Sequence, residues 1–460
     1  MRDFKRITAE YILFPGIAAG LVFLGGCVTT GKMDRPLPPS SQREVVKMIP
    51  WQLTLQPGKN VRVYINDKKT GYRWITRDKS MRTMRLKVPL YRDELGFDLR
   101  VEKKGYQNFS ARVMLQGRDS LYKEQPFFAV LDPEGNRHRF LHYWRTGRQP
   151  KSVRFIDNQR VAVPLLNDTG IDIINIHTGK TTRIAPPKKF AVKEGFVESL
   201  VIGRKKELWI SQMNTGALHV FDSKRLKYKK TVQTKGIWGK VLLYDEGRQR
   251  VYFSNWESKD ISVIDAEKYR ELFRLPAKGV PRGMAMSEDG SYLYVCQYGK
   301  KNAIDRNGRI VKISLKKNKI ISFFGTTGAK RHAVPLYQDD LLFVSDMSRD
   351  EVISYRLDND RSAGAIDVYD HPNTIALSPD RRMLYVSCRG KNNPKSYLLK
   401  GYDLGRIYVI DTVKKKVVEY WKGGNQPTGL DVSPDGRFVV FSDFLDDAIR
   451  VYQRPDISSP

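Results

Sequence analysis

A single pattern recurs down this 460-residue chain: a loop, a short apolar strand, an S-x-D-G-like turn, an aromatic-rich strand and a further hairpin. Its clearest copies run from Pro281 to Val295 (PRGMAMSEDGSYLYV), from His371 to Ser387 (HPNTIALSPDRRMLYVS) and from Gln426 to Ser442 (QPTGLDVSPDGRFVVFS). Weaker copies carry their second strands at Ala162, Trp209, Tyr252 and Phe343, which brings the total to seven. Self-similarity at about 40–50 residues, with several short strands per copy, is the signature of a β-propeller. Alternating apolar residues bounded by Gly, Asp and Asn read as half-buried antiparallel strands.

The seventh copy stops early, with eight residues left after Ala448–Tyr452. Its missing fourth strand stands upstream, where Arg139–Pro150 (RFLHYWRTGRQP) lines up with Lys416–Pro427 (KVVEYWKGGNQP). An N-terminal strand that completes the last blade pairs two edges that would otherwise invite aggregation. The expected fold is therefore all-β: a seven-bladed β-propeller over 139–453, closed by an N-terminal strand and preceded by a small β-sandwich-like domain.

The repeats LYVC, LYVS and VYFSN, each after an SxDG-like turn and before a VIDT-like one, resemble the YVTN propellers of bacterial exported proteins. The resemblance covers about 310 residues. Fold alone says little about activity, and this family is functionally mixed. It implies a binding or adaptor scaffold first. Propellers of similar blade pattern include lactonases and oxidoreductases, so an enzyme of that type stands as the alternative.

Residues 1–27 read as an export signal: basic Arg2, Lys5 and Arg6, an apolar run from Tyr11 to Leu24, then Leu24-Gly25-Gly26-Cys27. The run is short for a membrane span of about 20 residues. A Cys after two glycines resembles the bacterial lipobox, which implies lipidation at Cys27 and, with Val28 next, placement at the outer membrane. Residues 28–50 (with DRPLPPSSQRE) read as a flexible tether. From 51 to 115 apolar and charged residues alternate, and Leu99–Gln107 with Arg112–Leu115 resembles the end of a PEGA domain, although the Pro-Glu-Gly-Ala box is absent. Residues 116–138 form the connector. Cys296 and Cys388 fall on blades that are not neighbours, so no disulfide is expected.

Lys and Arg number 81 against 50 Asp and Glu, a formal charge of +31 that makes the surface attractive to polyanions. In a propeller the inner-strand entrances and the loops after the second strands share one face. The entrances present Lys151, Lys240, Arg282, Arg331 and His332. Two inserts add Lys300 and Lys301, and Arg389, Lys391, Lys395, Tyr397 and Lys400. Cations beside aromatics suit an anionic polymer or sugar. The expected partners are the membrane, through the lipid anchor, and an anionic glycan, lipopolysaccharide or envelope or host surface protein, with nucleic acid as a further polyanion. The chain is expected to be a monomer.

Six histidines are scattered, and no HExxH, CxxC, GxSxG or phosphate-cradling loop is present. His332 and His371 sit near the entrances of adjacent blades without an evident third ligand. Asp346, Asp350 and Asp443 follow second strands, where Asx turns are the ordinary role. No catalytic residue, metal or cofactor is assigned on this reading.

Overall fold

The computed structural model describes residues 45–56, 60–74, 82–91, 96–114, 127–132, 134–191, 194–299, 307–401 and 403–455. Cys27, Lys300 and Lys301 lie outside these residues.

Among the described residues the N-terminal module has eight strands: β1 (Val45–Gln56), β2 (Arg62–Ile65), β3 (Lys68–Lys69), β4 (Tyr72–Trp74), β5 (Arg82–Tyr91), β6 (Gly96–Glu102), β7 (Phe109–Met114) and β8 (Phe127–Val130). They form two four-stranded sheets, β4-β5-β1-β8 and β3-β2-β6-β7. The period of two decides which residues meet. Trp51 and Leu53 on β1 pair with Leu86 and Met84 on β5, all buried, while Arg85 and Lys87 between them stay exposed. Phe97 of the second sheet meets Trp51 edge-on, with ring centroids 4.9 Å apart.

Two boundaries differ from the sequence expectation. β1 begins at Val45, inside the stretch assigned to the tether, because Ile49 is buried opposite Val88. β8 lies inside the assigned connector and pairs parallel with β1, Leu53 opposite Phe127. An extended strand beside β1 satisfies backbone groups that an edge would leave open.

The propeller follows. β9 (Arg139–Arg145) is succeeded by six four-stranded sheets in plain sequence order and a seventh completed by β9. In that last sheet Ile449 pairs with Trp144, Arg450 with Tyr143 and Tyr452 with Phe140, antiparallel. Innermost strands of successive blades touch all the way round, the last (Pro427–Val432) against the first (Arg154–Phe155). The seven-bladed ring is closed. Cys296 and Cys388 are buried free thiols.

Inner strands come so near that side chains are excluded at two joints. A Cβ on Gly283 would lie 2.6 Å from the His332 Cα, and one on Gly429 would lie 2.6 Å from Ser152 backbone. Glycine at these positions lets neighbouring blades converge on the axis.

The module and the ring share a core. Phe109 of β7 stacks on Phe140 of β9 at 5.0 Å, and Phe140 meets the Tyr452 ring at 5.5 Å. Asp132, in the connector, accepts from the Lys422 amide (3.1 Å) and from the Tyr452 hydroxyl. His138 bridges Glu419 (3.1 Å) and the Tyr385 hydroxyl (2.9 Å).

Candidate functional site

One mouth of the central channel is set by a backbone irregularity repeated from blade to blade. In six inner strands the antiparallel register slips just after the first paired residue: after Phe196, Gly239, Pro281, Lys330, Pro372 and Pro427. A bulge re-aims the side chain that follows it. Those side chains are Val197, Lys240, Arg282, Arg331, Asn373 and Thr428, and behind them the rest of each strand runs in ordinary register. The next backbone N–H is freed from the ladder and is caught by a serine of the second strand. Val241 donates to Ser254 (3.1 Å), His332 to Ser345 (3.2 Å), Thr374 to Ser387 (3.1 Å) and Gly429 to Ser442 (2.9 Å).

The bulges bring Lys240, Arg282 and Arg331 to the wall of one cavity of about 50 Å³, which is also lined by Lys151, ahead of the first blade's inner strand, and by His332, Glu198, Asn373 and Thr428. At about 10–15 Å³ per water, this is room for about three to five waters or one compact anionic group. Among the described residues Glu198 is the single carboxylate in the wall.

Aromatic rings back the cations. The Lys151 ammonium lies 4.4 Å from the Phe444 centroid, and Lys240 lies 5.4 and 5.8 Å from Trp238 and Trp256. Arg282 sits 4.8 Å over Trp256, and Arg331 lies 5.3 Å from Tyr298. Such contacts hold a charge in place while leaving its hydrogen-bond donors to a ligand. Arg331 and Lys240 are exceptions: the Arg331 Nε donates to Asn373 Oδ1 at 2.8 Å, and the Lys240 ammonium contacts the Met213 sulfur.

Like charges this close raise one another's cost of ionisation. Burial first, then Arg389, Arg331, Arg282 and Lys240, push the Lys151 ammonium well below the ordinary lysine range. Burial and the arginines do the same to Lys240, and burial lowers Arg282 to about 10. His332 is held down to about 4, chiefly by burial, and is neutral at pH 7. Glu198 is raised by burial, against the pull of Arg154. An anion would relieve the mutual repulsion.

The cations of the sixth-blade insert do not form one surface. Arg389 is buried, bonded to Gln426 and 5.7 Å from the Tyr397 ring. Lys400 pairs with Asp446 at 3.0 Å. Lys391 and Lys395 are exposed, and Tyr397 is partly so. The insert folds back on the mouth: Leu398 packs with Val197, Met213 and Phe444, and Gln426 donates to the Tyr397 carbonyl at 2.6 Å.

Acidic residues expected after second strands have gone two ways. Asp346 and Asp443 are buried ion pairs with Lys330 (2.5 Å) and Arg450 (2.6 Å), so they structure the blades. Asp350 instead joins Asp370 and His371, with one ligand-type atom from each within 4.8 Å of the others, half-buried. His332 lines the channel, so the two histidines serve different places. Glu198, Asn373 and Thr428 were not singled out from the sequence. Asn373 and Thr428 stand at the bulge position in line with Lys240 and Arg282, so aligning the repeats on that position would have found them.

The lactonase seven-bladed β-propeller family matches residues 285–459. Antigen Lp49 of Leptospira interrogans serogroup Icterohaemorrhagiae serovar copenhageni (strain Fiocruz L1-130) is 45% identical over 412 residues, covering 89% of this chain and 88% of its own length. Among solved structures, the hydrazine synthase of Kuenenia stuttgartiensis superposes with a TM-score of 0.56 at 15% identity, over 67% of this chain and 97% of that one. At that identity the likeness is one of fold.

Proposed function

The chain belongs to the family of the leptospiral antigen Lp49, and on that premise we propose that it is an envelope lipoprotein whose propeller binds anionic groups at its channel mouth. The observation that carries this reading is the convergence of Lys151, Lys240, Arg282 and Arg331 on a cavity with one carboxylate. The cavity's size selects a terminal phosphate, sulfate or carboxylate rather than a length of polymer. A glycan or lipopolysaccharide would insert one such group and lie its remainder along Tyr397, Lys391 and Lys395. Export and lipidation at Cys27, followed by a tether and a PEGA-like module, would hold a YVTN-type ring off the membrane. The relative's name as an antigen supports an envelope location.

Titration calorimetry of the full chain with inorganic phosphate and with heparin tests the site. Arg282→Gln combined with Lys240→Gln is expected to weaken both ligands by about tenfold or more, since each removes a charge-assisted contact worth about 1.5–3 kcal/mol. Unchanged affinity would remove the channel from the reading. Binding whose logarithm falls steeply with salt for long DNA but not for phosphate would point to nucleic acid along the basic face.

A hydrolytic reading is favoured by the lactonase match over 285–459. It would give Glu198 and the neutral His332 acid–base roles on a lactone whose carbonyl oxygen faces the arginines. Turnover of a lactone that disappears in Glu198→Gln would support it.

A further inference from the structure

The opposite face of the ring holds a second cavity of contrary charge. It lies between the fourth and fifth blades, has a volume of about 380 Å³, and is lined by Glu288, Asp289, Asp340 and Asp358 with Tyr292, Tyr294, Tyr337, Ser287 and Leu357. The inner strand Pro281–Met286 carries Arg282 at one end and leads into Ser287 at the other, so the two cavities stand a strand length apart, roughly 15–20 Å. In a chain of net charge +31, no Lys or Arg stands among these lining residues.

Three cations stand beside the cavity without lining it, two of them over its tyrosine rings. Lys312 pairs with Asp360 at 2.9 Å and approaches Tyr292 to 4.8 Å; Arg248 bonds Asp245 (3.0 Å) and the Gly290 carbonyl (2.8 Å); Arg381 lies 5.8 Å from the Tyr337 ring. Of the carboxylates, Asp289 is fixed by Ser287 (2.6 Å) and the Ser291 amide (2.9 Å), which push it down to about 2 and keep it ionised. Asp340 accepts from the Asp358 amide at 3.2 Å, and no side-chain partner of Glu288 is found among the described residues.

A further observation points to a ligand. Tyr294 is 2% exposed, lines this cavity, and has ring contacts with Phe324 and Lys312 but no hydrogen-bond partner for its hydroxyl among the described residues. A buried phenol normally finds one. Carboxylates beside tyrosine rings, with a phenol hydroxyl left over at the cavity, are surroundings in which an organic ammonium gains ion pairing and, on the ring faces that Lys312 and Arg381 leave open, cation–π attraction.

We propose that this cavity between the fourth and fifth blades binds an alkylammonium group, either of a free amine or of a lysine side chain, through Glu288, Asp340 and the Tyr292, Tyr294 and Tyr337 cage. Its volume falls in the range of small-molecule sites, about 300–1,000 Å³.

The test is calorimetric titration of the full chain with hexylammonium, with 1-hexanol as its neutral counterpart and with N-acetyl-lysine amide as the peptide-borne form. Saturable binding of hexylammonium, with 1-hexanol at least about tenfold weaker, is expected. Glu288→Gln, an exposed position that should leave the melting temperature unchanged, should weaken hexylammonium about three- to tenfold, and Tyr337→Ala should do so independently. Binding of the lysine amide without hexylammonium would identify a peptide as the source. Equal binding of 1-hexanol, no saturable binding of either ammonium, or affinity untouched by both substitutions would overturn the proposal.

Discussion

Serine on the second strand of a blade is the smallest device in this molecule with the widest effect. Ser254, Ser345, Ser387 and Ser442 are fully buried, and each accepts the amide that an inner-strand bulge has set loose. Ser345 also donates to the Asn373 carbonyl of the next blade at 2.7 Å, so one hydroxyl ties a bulge and a blade joint together. At the matching place in the fourth blade stands Cys296, a much weaker partner, and Gly283 there has no Cβ to accommodate. Ser345→Ala should therefore cost about 1–3 kcal/mol, the price of a stranded buried amide and carbonyl. Urea unfolding should show a lower midpoint at unchanged slope; a midpoint equal to that of the parent would mean water replaces the hydroxyl. The serine was visible in the LYVS and VYFSN repeats, but its task was not. A strand pattern with period two gives no sign of where the register slips.

At the scale of elements, β9 does two jobs. Its backbone completes the seventh blade beside Ala448–Gln453, and Phe140 on it is held between Phe109 of the module and Tyr452 of the blade. Arg450, fully buried, pairs with Asp443 and sits 5.3 Å from the Tyr143 ring and 6.0 Å from Phe109. Module and ring should thus unfold as one cooperative unit in calorimetry. Phe140→Ala should destabilise by about 2–4 kcal/mol, toward the low side for Phe→Ala because the ring is only half-buried, and should split the melt into two steps. Two transitions already present in the parent protein would refute the shared core. The alignment of Arg139–Pro150 with Lys416–Pro427 made the closing strand legible, because a blade lacking one strand must find it somewhere. The docking of β7 was not legible, since nothing local distinguishes Phe109 from any other strand aromatic.

For the molecule as a whole, the ring holds two cavities of opposite charge, and the basic one is tuned by its own crowding. Lys151 and Lys240 are depressed by burial and by the neighbouring arginines, so each loses its proton at lower pH than an ordinary lysine. A bound anion favours the protonated form and draws protons back onto them, so affinity must fall as pH rises through the depressed values. The free protein shows the converse. Over the window between depressed and ordinary lysine values the unfolded chain holds more protons, so stability rises with pH there. His332, already neutral above about 4, takes no part. Sulfate, whose charge does not change over this range, titrated at about pH 6 and at about pH 9 should bind more weakly at the higher value. Affinity that does not change with pH would show that these lysines do not face the ligand.

The sequence alone determined the number of blades, their strands and turns, and the strand that shuts the ring. Those features follow from local chemistry, apolar alternation and turn residues, repeated at a fixed interval. It also marked which entrance residues are basic. Only the tertiary structure decided which charges are spent and which remain: Lys330 with Asp346 and Lys400 with Asp446 are neutralised, while Lys240 and Arg282 face a cavity against one carboxylate. Those outcomes depend on partners far away in the chain, brought to one axis by ring closure and aimed by bulges. Charge, unlike hydrophobic alternation, takes its meaning from what stands across the gap.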